Sequence, residues 1–157
     1  MNQAPLVSNE EKKAVWEAYR RREPVRVPVM LATNPRIILL DPQLNTKRYS
    51  FERYFQDPEV MLDVQLQHAR YRATVLNYYT DDPVGLPDVW QVYTDRQNVY
   101  EAAFFGAPVV YREGQVPDTV PILDDDHKES IFERDIDDPL KQGFFKESLD
   151  LCLRMKE

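Results

Sequence analysis

Glycine, cysteine and histidine are scarce in this chain, and each shortage excludes a class of site. Glycine supplies 4 of the 157 residues, against a typical share of about 7%, which is too few for most glycine-rich loops that cradle phosphate. Cys152 is the only cysteine, so no intramolecular disulfide can form and a reducing compartment is the natural setting. With only His68 and His127 beside it, one chain has too few ligands for a His/Cys zinc site.

Long apolar runs and a basic charge balance are missing as well. No run approaches the ~18 apolar residues of a membrane-spanning helix, and residues 1–10 lack the basic and apolar regions of a signal peptide. Acidic residues number 27 against 20 lysines and arginines, which gives a net charge of −7. Because a negative surface repels phosphate backbones and anionic lipid, we expect a protein that binds neither nucleic acid nor membrane. The lone cysteine and the missing signal peptide and membrane span predict that it is cytoplasmic.

The size and the hydrophobic content indicate a folded protein. A length of 157 residues, 43% of them hydrophobic and 30% charged, is typical of one globular domain. We therefore expect a single domain over residues 1–157, in which residues 1–7 form a loose lead-in.

Capping patterns and apolar spacing predict the helices. Ser8 and Glu11 have capping-box spacing before a helix that ends ahead of Pro24, and the sequence Asp57-Pro58-Glu59 starts another. That second helix is predicted to run from Pro58 to about Tyr79, with an apolar stripe of Leu62, Leu66, Ala69, Ala73 and Leu76. Further helices are predicted at about 36–40, 97–105 and 128–134, and from Phe144 onward. The helix at 97–105 has Thr94 or Asp95 as its predicted cap and Gly106 at its end. The last helix presents Phe145, Leu149, Cys152 and Leu153 on one apolar face, which makes Cys152 a core residue.

Strands are predicted between these helices. Val25–Leu31 alternates apolar side chains, Val89–Tyr93 is a second candidate, and residues 108–111 and 116–123 are shorter extended pieces. Strands that alternate with helices favour βα units and a parallel sheet. The predicted fold class is therefore α/β.

Several polar clusters have both a structural and a functional interpretation. Arg20, Arg21 and Arg22 suit the end of a helix, and anion binding is the alternative. Asp81 and Asp82, and the acidic run at 124–126, are interpreted as solvated loop acids, with cation binding as the alternative. His68 lies off the predicted apolar stripe, so we interpret it as a solvated helix residue. The chain contains no P-loop, Gly-x-Gly-x-x-Gly sequence, nucleophile elbow or zinc-protease motif.

Three segments, in order along the chain, resemble the N-terminal part of the uroporphyrinogen decarboxylase superfamily. The first is Arg21–Val29, which is similar to the entry into the first barrel strand of that family. The second runs from Tyr93-Thr94-Asp95 to Pro108-Val109, and the third from Val116-Pro117 through Asp138-Pro139 to the terminal helix. The superfamily also includes corrinoid-dependent methyltransferases.

The resemblance implies a fold and two site residues. The fold would be the N-terminal part of a (β/α)8 TIM barrel, helix-rich and with few parallel strands; such barrels usually need about 250 residues. Asp95 corresponds to the catalytic aspartate that binds pyrrole nitrogens, and Arg36 would bind a carboxylate of a small anionic substrate. The family activity is decarboxylation of a tetrapyrrole or related acid, with no metal or cofactor. The later catalytic residues of the family have no counterpart in this chain.

Three alternatives remain open from the sequence. The chain could belong with the corrinoid-linked methyltransferases. It could be a non-catalytic interaction module, in which uncovered strand edges pair two copies as a homodimer. It could also be a small-molecule binding domain that uses Arg36 and Asp95.

Overall fold

Helices make up most of the regular structure in the computed structural model, which describes residues 7–133 and 136–156 but not the side chain of Tyr79. The α-helices are α1 (Asn9–Arg20), α2 (Ile37–Leu40), α3 (Phe51–Gln56), α4 (Pro58–Thr74), α5 (Tyr100–Phe104) and α6 (Gly143–Arg154). Short 3₁₀-helices span Leu76–Tyr79, Lys128–Glu133 and Pro139–Lys141. Within the described residues, the β-structure is one antiparallel pair, β1 (Val109–Val110) and β2 (Asp118–Thr119). The fold is therefore helix-rich with a two-stranded sheet.

The chain divides into two compact units. Unit 1 comprises Met1–Asp41 and Val64–Gln91, and unit 2 comprises Pro42–Asp63 and Val92–Glu157. Helix α4 contributes its first six residues to unit 2 and the remainder to unit 1. The single domain expected from the length stays a prediction.

Local capping determines where α1 and α4 begin. The Ser8 hydroxyl accepts a hydrogen bond from the Glu11 backbone N–H at 3.1 Å, and the Asp57 carboxylate accepts from Glu59 and Val60 at 3.1 and 3.4 Å. These bonds satisfy N–H groups that the first helical turn leaves without intrahelical partners. Both predicted helix starts are confirmed, as is the short α2.

The predicted end and buried face of α4 were wrong. The α-helix ends at Thr74 and the chain continues as a 3₁₀-helix. Thr74 and Val75 are both β-branched, which lowers their preference for the α-helix. The most buried α4 positions are Val60, Met61, Val64, Gln65, His68 and Ala73. Of the predicted stripe, Leu62, Leu66 and Ala69 are only half-buried. The helix carries apolar residues on both faces, so periodicity alone did not select between them.

Helix α3 was not predicted. The Ser50 hydroxyl caps it by accepting from the Arg53 backbone N–H at 3.1 Å. Phe51, Tyr54 and Phe55 recur at i, i+3, i+4 and are all buried in the core. This spacing was present in the sequence and is the signal that could have identified the helix.

The prediction of parallel strands at Val25–Leu31 and Val89–Tyr93 was wrong, since neither segment joins a β-ladder among the described residues. Pro28 removes one backbone donor from the first segment. The Val29 backbone is also engaged, because its N–H donates to the Asp81 carboxylate and its carbonyl accepts from the Asp81 N–H, both at 2.7 Å. The extended pieces predicted at 108–111 and 116–123 contain β1 and β2, which are antiparallel.

The C-terminal elements agree with prediction in position and differ in detail. Helix α5 closes at Gly106, which has a φ of 95°. It begins at Tyr100 and not near 97, because Gln97 has a φ of 55°, in the left-handed region that a right-handed helix does not use. Residues 128–133 form a 3₁₀-helix where an α-helix was expected. The first six residues of the predicted lead-in, the predicted helix end at Arg134, and Glu157 lie outside the described residues.

Helix α6 confirms the predicted terminal helix, but its buried face differs. The buried positions are Phe144, Ser148, Leu151 and Met155, whereas the predicted Leu149 and Leu153 are exposed. Phe145 stacks on Phe104 of α5 with ring centroids 4.9 Å apart. Apolar residues occur around most of this helix, and packing against α5 selects the face. Cys152 is half-buried.

Candidate functional site

The carboxylate of Asp95, the residue expected to be catalytic, is buried in unit 2 with side-chain donors on both oxygens. The Tyr54 hydroxyl donates to Oδ2 at 2.7 Å, and the Gln97 amide donates to Oδ1. Asp95 is 3% exposed and Tyr54 is fully buried. The sequence also allowed Asp95 to be the cap of α5. Its carboxylate instead accepts hydrogen bonds from Tyr54 and Gln97, so Asp95 does not cap that helix.

Arg96 extends this polar cluster into the aromatic core of unit 2. Its Nη1 donates to the Phe55 carbonyl at 2.8 Å and to the Tyr111 hydroxyl at 3.3 Å. Its guanidinium carbon lies 5.0 Å from the ring centroid of Phe144, within the range of a cation–π contact. Burial raises the pKa of Tyr111, and Arg96 opposes the rise. Asp95 and Arg96 are therefore neighbours in the sequence and are both buried, each with its own set of partners in unit 2.

The chemistry open to Asp95 follows from these contacts. A buried carboxylate can accept N–H bonds from a ligand, and low polarity around it strengthens such bonds. The catalytic role of Asp95 stays a prediction.

Arg36, the predicted substrate-binding residue, lies in unit 1 immediately before α2. It is half-buried, and its backbone N–H donates to the Asn34 side chain at 2.9 Å. Arg36 and Asp95 belong to different units. Its binding role also stays a prediction.

Asp81 is the polar residue whose sequence interpretation was most clearly wrong. It was expected to be a solvated loop acid, yet it is 2% exposed. Its carboxylate accepts hydrogen bonds from both terminal nitrogens of Arg26, each at 2.6 Å. The Arg26 guanidinium and the Val29 N–H hold the pKa of Asp81 below its usual value, against the effect of burial. Asp82 is half-buried and pairs with Arg72 at 2.7 Å.

A fully buried lysine lies near this carboxylate. Lys12 has no exposed surface, and its Nζ donates to the Asn77 carbonyl at 2.8 Å. Burial lowers the pKa of Lys12, while the charges of Asp81 and Asp82 counteract that effect. Unit 1 thus contains a compact network of charges that the sequence did not reveal, because its members are far apart along the chain.

His68 is also buried, so its interpretation as a solvated helix residue was wrong. Its Nε2 lies 3.0 Å from the Thr33 hydroxyl. Burial lowers the pKa of His68 to about 4, with a smaller contribution from the positive charge of Arg72. The acidic run at 124–126 agrees with its interpretation as loop acids, since all three residues are exposed and Asp124 accepts from the His127 backbone at 2.9 Å.

Five apolar side chains of the segment Val25–Leu31 in unit 1 are exposed. Val25, Val27, Val29, Met30 and Leu31 are between 45% and 81% exposed. Apolar residues exposed one by one are ordinary, whereas several close together in the sequence favour an interaction surface.

Comparison with known proteins returned no match: no family model, curated protein or solved structure is similar to this chain. Within residues 7–133 and 136–156, no group of three or more His, Cys, Asp or Glu side chains could hold a metal ion. In the same part of the chain, no helix combines the length and apolar character needed to cross a membrane.

Proposed function

We propose that this chain is the N-terminal portion of a uroporphyrinogen-decarboxylase-like (β/α)8 barrel protein, whose family activity is decarboxylation of a tetrapyrrole or related acid. The observation that carries the proposal is the exposed segment Val25–Leu31. It overlaps Arg21–Val29, which the resemblance assigns to the entry into the first barrel strand, and five of its seven side chains are apolar and exposed. Exposed apolar side chains of this kind suit a surface that another part of an assembled barrel would cover.

Asp95 and Arg36 have separate roles in this proposal. The buried Asp95 carboxylate, oriented by Tyr54 at 2.7 Å, accepts pyrrole N–H bonds and stabilises positive charge that develops on the substrate. Arg36, in unit 1, has a carboxylate-binding role only through the resemblance, which a guanidinium suits by forming two parallel hydrogen bonds to a carboxylate. The proposal requires no metal or cofactor and places the protein in the cytoplasm.

Substrate binding by the isolated chain tests the proposal. Reduced uroporphyrinogen, kept under anaerobic conditions, should raise the thermal unfolding midpoint of the chain, since a ligand that binds only the folded state stabilises it. Asp95→Asn should remove most of this rise, because an amide keeps the Tyr54 hydrogen bond but not the negative charge. Arg36→Gln should reduce it.

The matched control is Asp88→Asn, since Asp88 is an exposed acid and the substitution should leave the rise unchanged. An unchanged midpoint in the unmodified chain, or an equal rise in Asp95→Asn, would contradict the proposal. A rise with cobalamin but none with uroporphyrinogen would favour the methyltransferase alternative.

A second candidate function is a homodimerising interaction module, and the same exposed segment favours it. Two copies could cover Val25–Leu31 by pairing it with its counterpart, which removes exposed apolar surface from water. Light scattering should then give the mass of a dimer at micromolar concentration, and Val27→Glu should give a monomer. Leu140→Glu, at another exposed apolar position, is the control and should remain dimeric. A monomeric mass for the unmodified chain would exclude this function.

A further inference from the structure

Unit 2 contains an open apolar cleft whose lining includes neither Asp95 nor Arg36. Its volume is about 790 Å³, within the range of roughly 300–1,000 Å³ that is typical of small-molecule sites. Three elements line it: α5, the segment that follows β2, and the 3₁₀-helix Lys128–Glu133. Its apolar lining includes Ala102, Phe105, Val120, Ile122, Leu123 and Ile131.

Contacts within unit 2 hold two of these walls in place. The backbone N–H of Val120 donates to the Pro108 carbonyl at 3.0 Å, which extends the β1–β2 pairing to the start of the second wall. On α5, Phe104 is buried and stacks on Phe145 with ring centroids 4.9 Å apart. The cleft is therefore formed by the fold itself and does not need a ligand to shape these walls.

Carboxylates lie on two of the three walls. Glu101 belongs to α5 and Glu133 to the 3₁₀-helix, and both line the cleft. Glu101 and Phe105 are four residues apart, so they project from the same side of that helical segment. A carboxylate next to an aromatic ring suits an organic cation, because the ring face also attracts positive charge.

We propose that this cleft binds a small organic cation with an apolar body, such as an arylalkyl amine. The apolar walls cover the body, and Glu101 with Phe105 on one wall and Glu133 on another attract the cationic group. This inference does not depend on the proposed function, because it uses neither Asp95 nor Arg36.

Three probes of nearly equal size test the charge requirement: 4-phenylbutylammonium, the neutral 4-phenylbutanol, and 4-phenylbutyrate. Each is titrated into the full chain, and binding is followed by changes in the ¹⁵N–¹H NMR spectrum. We expect the ammonium to bind at least about fivefold more tightly than the alcohol, and the carboxylate to bind most weakly. The shifted signals should belong to residues of the cleft walls.

Variants on the walls separate charge from apolar contact. Glu101→Gln and Glu133→Gln should each weaken ammonium binding about three- to fivefold, since both carboxylates are partly in water, and should leave the alcohol unaffected. Glu147→Gln, on α6 and outside the cleft lining, is the control and should bind the ammonium as the unmodified chain does. Ala102→Trp should block all three probes by filling the cleft, and Ile122→Ser, at an exposed position, should weaken the ammonium and the alcohol alike.

Several results would overturn the inference. The first is tighter binding of 4-phenylbutyrate than of 4-phenylbutylammonium. The second is that Glu101→Gln and Glu133→Gln bind the ammonium as tightly as the control does. The third is that no probe shows saturable binding at millimolar concentration. The glutamine variants change exposed side chains, and their NMR spectra report directly whether they fold. A failure of Ala102→Trp to fold therefore leaves the test intact.

Discussion

The Asp81 carboxylate and the Arg26 guanidinium form a bidentate pair in unit 1, with both nitrogen–oxygen distances at 2.6 Å. The Asp81 side chain is 3% exposed and that of Arg26 is 36% exposed, so one charge is buried while the other reaches water. The Val29 N–H donates a further bond to the same carboxylate at 2.7 Å. The pair therefore fixes the segment 26–29 to the connection that follows residue 80.

Asp81→Asn tests how much this pair stabilises the fold. An amide accepts through one oxygen only and carries no charge, so at most one of the two Arg26 hydrogen bonds remains and the guanidinium loses this counter-charge. We expect the free energy of unfolding to fall by on the order of 3 kcal/mol, the low end for a broken buried pair, because Arg26 is partly solvated. Urea denaturation measures the change.

The control for this substitution is Asp88→Asn in the same connection. Asp88 is exposed, and a surface substitution of this kind usually changes stability by less than about 0.5 kcal/mol. A loss in Asp81→Asn that is no larger than the loss in the control would show that the pair does not stabilise the protein.

Local signals predicted where α1 and α4 begin, because a helix start that a side chain caps depends on residues within one turn of each other. Ser8 and Asp57 both cap the helices predicted from their spacing. The segment from 25 to 31 shows the limit of this reasoning. Its alternation predicts a strand, but whether a strand forms depends on a partner elsewhere in the chain, and the backbone of Val29 bonds instead to Asp81.

Single candidate residues could be named from the sequence, but the contacts that surround them could not. Asp95 was identified through a resemblance, but its contact with Tyr54 joins residues 41 positions apart. The Asp81–Arg26 pair joins residues 55 positions apart. Nothing in the composition around Asp81 distinguishes a buried carboxylate from a solvated one, since burial is decided by packing between distant segments.

The buried His68 makes the stability of the protein depend on pH. Its pKa in the folded chain is about 4, below the usual value of about 6.5, so the unfolded chain binds the proton at higher pH. The contribution of neutral His68 to the free energy of unfolding is fully present above pH 6.5 and is lost progressively as the pH falls from 6.5 to 4. His68→Gln removes this titration, so the variant should lose less stability over that window than the unmodified chain.

Urea denaturation at several pH values between 7 and 4 measures the dependence on His68. The carboxylates titrate in both proteins, so the informative quantity is the difference between the two curves. Parallel curves for His68→Gln and the unmodified chain would contradict the assignment.

The hydrogen bond from Tyr54 to Asp95 should contribute strongly to the stability of unit 2. Tyr54→Phe removes only the hydroxyl and leaves the Oδ2 atom of Asp95 without this donor. Since the bond is buried, 2.7 Å long and made to a carboxylate, we expect a loss of about 1.5–3 kcal/mol. Tyr19→Phe, at an exposed tyrosine, is the control, and equal losses in the two variants would contradict the prediction.

Arg96 should not be replaceable by lysine, although the charge is the same. Its guanidinium lies over the Phe144 ring at 5.0 Å while Nη1 reaches the Phe55 carbonyl at 2.8 Å. A lysine ammonium is a compact, strongly hydrated charge that lacks the planar face for the ring. We expect Arg96→Lys to lower the free energy of unfolding by about 1–3 kcal/mol, as for a buried polar group that loses its partners.

The matched control for Arg96→Lys is Arg112→Lys, because Arg112 is exposed and makes only a loose ion pair with Asp118 at 3.7 Å. An exposed pair of this kind contributes at most about 1 kcal/mol, and lysine can replace the arginine there. Urea denaturation of both variants decides the matter. If Arg96→Lys were as stable as the control, the planar shape of the guanidinium would have no structural role in the core of unit 2, and the charge alone would account for Arg96.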